Sequence, residues 1–258
     1  IGPGDEVITP VFSWISSAET ITLTGAIPVF ADVDPETYTI DPSLMEKKIT
    51  VRTKAVIAVH LFGQAEHISR IKEICRKHDL FLIEDCAQAH LTKEGKQYVG
   101  TFGETGAFSF YPTKNLGAYG DAGCIITHNN KLAEKIRRMC NHGALKKDDH
   151  LIEGHNSRMD TIQAAVLTTK LPYLKAWNQK RQANARLYSS LLKGIEDIQL
   201  PFIRPGTTHT FHLFTIKCKN RKKLQEYLQQ KGIQTLIHYP KALHNLDAYR
   251  YLRLSRDE

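Results

Sequence analysis

Two residues of this 258-residue chain stand where an α/β sheet presents chemistry. Asp85 closes the apolar run Leu80-Phe81-Leu82-Ile83. It is therefore expected at the carboxyl end of a strand, the side on which open parallel sheets hold ligands. Acidic residues also end such strands merely to cap a following helix. Lys114 follows a second apolar run, 106–110, within Tyr111-Pro112-Thr113-Lys114-Asn115-Leu116-Gly117. A loop lysine is ordinarily just solvated. This one stands among Gly117, Gly120 and Gly123 and the hydroxyls of Ser109 and Thr113, and such a loop lets backbone come close to a bound group. It lacks the Gly-Lys-Ser/Thr helix opening of a Walker nucleotide loop. A free lysine titrates near ~10.4, so a site using this amine as a base must favour its neutral form.

The elements that must position these groups alternate. Apolar runs at 6–10, 27–32, 55–61, 80–83, 106–110 and 124–127 read as strands, and 55–61 is apolar enough for burial on both faces of a parallel sheet. Helices are predicted over 13–24, stopped by Gly25, over 68–78 with Ile71, Ile74 and Cys75 on one face, and over 132–140. Asp41-Pro42 reads as a helix start, with Asp as cap and Pro at the first helical position. Such alternation implies a mainly parallel α/β sheet with functional loops at strand ends. After a polar loop at 146–157, long helices at 159–171 and 173–192, parted by Pro172, read as an interdomain spacer. A strand at 211–218, a helix at 224–231 and a strand at 233–239 read as the start of a smaller α+β domain. The expected division is a large domain over 1–172, then an interdomain helix and partial small domain over 173–258.

Composition narrows the function classes. With 41% hydrophobic and 24% charged residues, the chain has material for buried cores. No run approaches the roughly 18 apolar residues of a membrane span, and no charged-then-apolar leader opens the chain. A net charge of +8 could suit nucleic acid, a membrane surface or a small anionic ligand. The surplus gathers at helical spacings between apolar residues, as in Lys131, Lys135, Arg137 and Arg138, which reads as a solvated helix face. No DNA-binding signature accompanies it. Cys75, Cys86, Cys124, Cys140 and Cys218 form no CxxC pair and no metal-ligand spacing with the twelve histidines. They read as buried free thiols of a reducing, cytoplasmic compartment, and no metal site is expected. The chain enters on a turn, Ile1-Gly2-Pro3-Gly4-Asp5, without an initiator methionine, and 254–258 adds no closing element. It reads as an internal piece of a longer protein.

The segment Phe108-Ser109-Phe110-Tyr111-Pro112-Thr113-Lys114-Asn115-Leu116-Gly117 resembles the lysine segment of the DegT/StrS-type sugar aminotransferases. Ile83-Glu84-Asp85-Cys86-Ala87-Gln88-Ala89-His90 is similar to that family's acidic strand end. Pro3 to Ile8, Gly25 to Phe30, Gly154 to Asp160 and His238-Tyr239-Pro240 match further phrases in the family's order, so the resemblance spans nearly the whole chain. It implies the type I pyridoxal-phosphate (PLP) transferase fold, like aspartate aminotransferase, and a homodimer with shared cofactor sites. It further implies that Lys114 carries the cofactor as a Schiff base and shuttles a proton, and that Asp85 pairs with the pyridinium nitrogen. Gln88 would stay near the phenolic oxygen and Ser109 would hydrogen-bond the phosphate. Trp14 falls where the family stacks an aromatic ring on the pyridine face. Asn156 matches the asparagine that reaches the phosphate from the partner subunit, and Arg158, His238 and Tyr239 match positions near the substrate.

The reaction implied moves an amino group from an amino acid, with L-glutamate as donor, to a keto-sugar linked to dTDP or UDP. Lys114 to Gly123 and Asn156 to Asp160 resemble members that aminate sugar carbon 3. A regulatory protein that kept the fold is the alternative from a non-enzyme class, and another PLP chemistry such as elimination is a third. Two departures stand out. The family's phosphate-binding Gly/Thr/Ser-Ala turn is expected upstream of Ile1, and Leu91-Thr92 stands where Gly-Ala is usual. Lys114 itself argues against the dehydratase-type members, which carry His at that place.

Overall fold

The structure is a computed structural model that describes residues 1–253; the chain end at 254–258 lies outside the described residues. Its strands are β1 (Glu6–Pro10), β2 (Ile27–Ala31), β3 (Thr53–Val59), β4 (Phe81–Asp85), the short β5 (Lys93–Glu94) and β6 (Gln97–Tyr98), β7 (Thr105–Ser109) and β8 (Gly123–Ile126). Six form one sheet in the order β2-β1-β3-β4-β7-β8, parallel except for the antiparallel edge strand β8. Because β1 lies between β2 and β3, the winding direction reverses there. Such a reversal opens a crevice outside the carboxyl ends of the strands. Asp85, paired in register with Val59 and Ala107, ends β4 on that side.

Alternation along the strands explains the two cores. Ile8, Val56, Ala58 and Leu82 point to the face covered by α2 (Pro42–Lys47) and α3 (Ile68–Lys77), where they meet Met45, Ile68, Ile71, Ile74 and Cys75. Val7, Ala55, Ile57 and Val59 point the other way and meet Ile21 of α1 (Ser16–Thr22), Leu61 and Phe62. Every residue of β3 but Lys54 is buried. Each such side chain contributes about 1.5–3 kcal/mol of burial, so these two layers hold the strand ends in place. Capping sets where α2 begins: the Asp41 carboxylate accepts from the Ser43 and Leu44 backbone N–H groups at 2.7 and 3.3 Å. Asp41→Ala is expected to lower stability by about 1 kcal/mol, read from the denaturation midpoint.

A buried carboxyl gives the fold a pH dependence. Glu66 accepts from the backbone N–H of Ile40 at 3.1 Å and of Val59 at 3.2 Å. Its other oxygen faces the Thr39 hydroxyl without a hydrogen bond of ordinary geometry. Burial pushes its pKa from 4.5 to about 8, against the lowering effect of those two N–H groups and of Arg204. The folded state therefore prefers the protonated acid. The resulting stability is full below about pH 4.5, declines as pH rises, and is gone above about pH 8. Glu66→Gln should flatten that decline, recovering on the order of 2–4 kcal/mol at pH 9 relative to pH 5 in denaturant titrations.

Beyond the sheet come α4 (Asn130–Met139), α5 (Thr161–Lys170), α6 (Leu174–Leu192) and α7 (Arg221–Gln230), with a two-stranded pair of β9 (Ile198–Gln199) and β10 (Lys217–Cys218). Pro172 sits in a 3-10 turn, Leu171–Tyr173, that joins α5 to α6. Two expected strands are corrected. Only the last two residues of 211–218 form a strand. Phe211 has φ 45 and donates its N–H to His209 Nδ1, while Thr210 and Leu213 bond the carbonyls of Gly63 and Phe62. Those N–H groups are used on turns and cannot serve a ladder. Residues 233–239 form no strand, since no neighbouring strand pairs with them among the described residues. The helix expected over 13–24 starts only at Ser16, and β3 stops at Val59 because Leu61–Gly63 turns. The cysteines are all free, but Cys124, Cys140 and Cys218 are half-buried rather than buried. No helix among the described residues is long and apolar enough to cross a membrane.

Candidate active site

Asp85 is held by both its neighbours in sequence and a distant helix. Its Oδ1 accepts from the Ala87 backbone N–H at 3.0 Å, and Oδ2 accepts from the Ser17 hydroxyl of α1 at 3.3 Å. Ser17 in turn sits 3.0 Å from the Ser13 hydroxyl. One N–H and one O–H leave the carboxylate with free acceptor capacity. Gln88 lies three residues on. Its Oε1 accepts from the Phe62 backbone N–H at 2.7 Å, and its Nε2 donates to the Tyr239 hydroxyl at 3.0 Å. Tyr239 packs near Phe12 and Trp14, with ring centroids 5.8 and 6.0 Å away. Trp14 is 59% exposed, so much of its indole remains uncovered beside these polar groups.

Lys114 closes a turn, its N–H donating to the Tyr111 carbonyl at 2.8 Å. The loop doubles back beneath itself: Ala118 donates to the Phe110 carbonyl at 2.7 Å. A side chain at Gly117 would strike the Pro112 carbonyl, which is why a glycine stands there. From α5, Lys170 Nζ donates to the Gly117 carbonyl at 2.7 Å, and Gln163 Oε1 accepts from the Tyr119 N–H at 2.8 Å. Burial pushes the Lys114 ammonium below the ordinary lysine range, while the Asp85 charge pulls it back up. The same amine bears on three imidazoles. Burial, then the Lys114 charge, lowers His90 to about 4, and the same two causes lower His238. His212 is lowered to about 3, by burial first and then by Lys114.

Behind Asp85 lies a polar assembly that no sequence pattern revealed. His60 Nδ1 accepts from the Glu66 N–H at 3.0 Å, so the ring proton is on Nε2, which donates to Glu84 at 3.0 Å. Glu84 also accepts from the backbone N–H groups of Gly100, Phe102 and Gly103 at 2.6, 2.6 and 2.8 Å. Burial raises the Glu84 pKa, but the bond from His60 and the N–H groups of Gly103 and Gly100 outweigh it and leave it lowered. His60 and Glu84, with Cys86, have ligand atoms close enough for a metal ion. Both His60 nitrogens are already engaged, and burial drives the Cys86 thiol pKa well up. The His60–Glu84 pair is therefore a hydrogen-bonded staple for the 100–103 turn, with the Cys86 thiol packed beside it.

Contacts join Gln88, Tyr239 and Trp14, and electrostatic coupling joins Asp85 to Lys114 and Tyr239, and Lys114 to His238. Ser109 ends β7 beside the lysine loop, its Oγ 3.3 Å from the Tyr111 N–H. Asn156 and Arg158 are exposed and attach elsewhere: Arg158 donates to Asn141 Oδ1 at 2.7 Å, and Asn156 bridges Asn141. No contact joins them to Asp85 or Lys114 among the described residues. Leu91, at the departure from the Gly-Ala pattern, has φ 66. The backbone thus keeps a shape suited to glycine, at a cost of about 1 kcal/mol. Ser17, Asn115 and His212 went unread in the sequence. The signal available for Ser17 was a serine at one helical turn from Ser13, on the buried side of α1.

A carboxylate and a half-buried amine at the open ends of a parallel sheet are groups suited to covalent amine chemistry. The family model for the DegT/DnrJ/EryC1/StrS aminotransferase family matches residues 1–257, and the chain belongs to that family. It is 45% identical over 246 residues to the "Pleiotropic regulatory protein" of Geobacillus stearothermophilus, covering 95% of this chain and 66% of that one. It is 43% identical over 249 residues to the dTDP-3-amino-3,4,6-trideoxy-alpha-D-glucose transaminase of Streptomyces venezuelae, covering 96% and 66%. The crystal structure of S. venezuelae DesV in complex with a ketimine intermediate matches with a TM-score of 0.95 and 42% identity, covering 97% of this chain and 68% of that one. Ntda from Bacillus subtilis, with bound cofactor PMP, matches with a TM-score of 0.89 and 33% identity, covering 99% and 60%. The chain thus spans about two thirds of the length of the curated relatives it matches.

Proposed function

We propose that this chain is the catalytic part of an aminotransferase that moves an amino group from L-glutamate to a keto-sugar linked to dTDP or UDP, with pyridoxal phosphate as cofactor. The observation that carries the reading is the Lys114 amine, kept below its ordinary pKa by burial, in the field of the sheet-end carboxylate Asp85. The residues present fit the cofactor. An amine suits its aldehyde, a carboxylate with spare acceptor capacity suits a ring N–H, and the uncovered indole of Trp14 suits an aromatic face. When bound, pyridoxal phosphate supplies an electron-accepting ring that stabilises negative charge on the substrate carbon.

The chain's own groups do the rest. Lys114 Nζ would hold the cofactor aldehyde, and as a free neutral amine it would serve as the base that carries a proton at the substrate carbon. Burial assists by favouring the neutral amine. Asp85 would pair with the cofactor's ring N–H through its free acceptor capacity. Gln88, fixed between Phe62 and Tyr239, presents its amide near the ring oxygen. Ser109 takes part of the phosphate, and Asn156, exposed on this chain, supplies a hydrogen bond to the phosphate in a homodimeric partner's site. Arg158, His238 and Tyr239 contact the substrate, whose keto group we place on carbon 3. That choice is supported by the transaminase relative that acts on a 3-amino sugar. Residues 1–172 make up the cofactor domain and 173–258 the interdomain helix and small-domain segment, and the free thiols favour a cytoplasmic setting.

The relative described as a pleiotropic regulatory protein favours a second reading, a cofactor-binding regulator without turnover. One experiment separates them. The full-length protein is incubated with glutamate and a panel of dTDP- and UDP-keto-sugars, and products are read by mass spectrometry. An aminated sugar with matching 2-oxoglutarate supports the enzyme; a protein that binds pyridoxal phosphate but aminates nothing supports the regulator.

A further inference from the structure

We propose that Asn178 is a positioning residue that fixes Lys114 relative to Asp85 through a buried amide network; this rests on reading Lys114 as the reactive amine. Asn178 belongs to α6, whose buried residues are Leu174, Asn178 and Ala185. They share one face at helical spacing, and an amide in such a stripe needs partners. It has two. Oδ1 accepts from Asn115 Nδ2 at 2.9 Å, and Nδ2 donates to the His90 carbonyl at 2.8 Å. Asn115 directly follows Lys114, and His90 ends the segment that begins at Asp85 and includes Gln88. A single side chain therefore spans the two loops whose separation sets where the amine stands.

The surrounding bonds fix the network's orientation. Asn115 Nδ2 also donates to the Thr210 carbonyl at 3.1 Å, and its Oδ1 lies 3.2 Å from His212 Nδ1. Turning either amide over would set oxygen against a carbonyl, so each has one arrangement. Asn115 Oδ1 can only accept. His212 accordingly carries its proton on Nδ1, which is consistent with a neutral ring in a buried place. Both Asn115 and Asn178 are 5% exposed, so solvent cannot replace these bonds without entering the core. Removing the Asn178 amide strands one Asn115 donor and the His90 carbonyl. Water drawn to those groups would stand beside Lys114 and undo the desolvation that favours its neutral form.

The test follows Lys114 in the full-length protein cleared of cofactor. Competitive acetylation across a pH series, with peptide mass spectrometry, reads the midpoint and reactivity of that one amine. In Asn178→Ala the midpoint is expected to rise by about half a pH unit or more, toward an exposed lysine. Asn115→Ala should do the same, and the double variant should shift no further than either single one. Arg204→Leu breaks a part-buried tie away from the lysine loop; Arg204 bonds Glu94 and the Glu66 carbonyl, each at 2.6 Å. It should lower the melting temperature and leave the Lys114 midpoint in place. An unchanged midpoint in a folded Asn178→Ala, additive shifts in the double variant, or an equal shift in Arg204→Leu would overturn the proposal. If Asn178→Ala does not fold, Asn178→Leu, which keeps the volume and removes the amide, takes its place under the same criteria. Because no cofactor is present, a protein that fails to attach pyridoxal phosphate at Lys114 sinks the proposed function without deciding this measurement.

Discussion

Lys114→Ala is expected to abolish stable retention of pyridoxal phosphate and to cut amino transfer by about 10⁴-fold or more. Two roles disappear together, the covalent hold on the cofactor and the proton carrier at the substrate carbon. Nothing nearby replaces them. Of the groups coupled to the amine, Asp85 is an acid, and His90, His212 and His238 are pushed toward their neutral forms by burial and by the lysine's own charge. None is a primary amine. Lys114→Arg should fail almost as badly, because a guanidinium stays protonated throughout the working range. Dialysis followed by a visible spectrum reads the first loss, and steady-state kinetics reads the second. Borohydride reduction of the wild-type protein should leave its adduct on the peptide containing Lys114. An adduct on any other lysine would refute the assignment.

The second large effect is expected at Asp85. Asp85→Asn should reduce amino transfer by about 10³-fold, close to 4 kcal/mol of transition-state stabilisation, with little loss of stability. The amide oxygen can still accept from the Ala87 N–H or the Ser17 hydroxyl, so the strand end keeps an anchor. What it cannot do is balance a protonated ring nitrogen, since a neutral amide carries no charge. The ring would then accept electrons poorly. The discriminating measurement is kcat against KM for the amino donor in Asp85→Asn. The loss should fall on kcat, while a loss confined to KM would assign Asp85 to substrate binding instead.

The sequence made the strands of the sheet legible because each is a short apolar run punctuated by glycine or by an acidic residue. The cap at Asp41 was legible for the same local reason, and the structure shows its carboxylate on the Ser43 and Leu44 N–H groups. At 211–218 and 233–239 local pattern misled, although the helix between them stands as α7. Residues 211–218 carry the composition of a strand, yet Thr210 and Leu213 spend their N–H groups on the carbonyls of Gly63 and Phe62. Propensity describes a residue's preference and cannot supply the neighbouring strand that would satisfy it.

The same division runs through the site. Asp85 and Lys114 stand out in the chain because strand-end position and loop composition are local properties. The amino-acid order alone thus determined the alternating sheet, the carboxylate at a strand end and the lysine in its glycine-rich loop. Tertiary structure decided the rest: Ser17 on the carboxylate, Tyr239 on Gln88, and Asn178 tying Asn115 to His90. These pairs are separated by 63 to 151 positions along the chain. Hydrogen bonds act over about 3 Å, so only folding could choose which distant polar groups would meet.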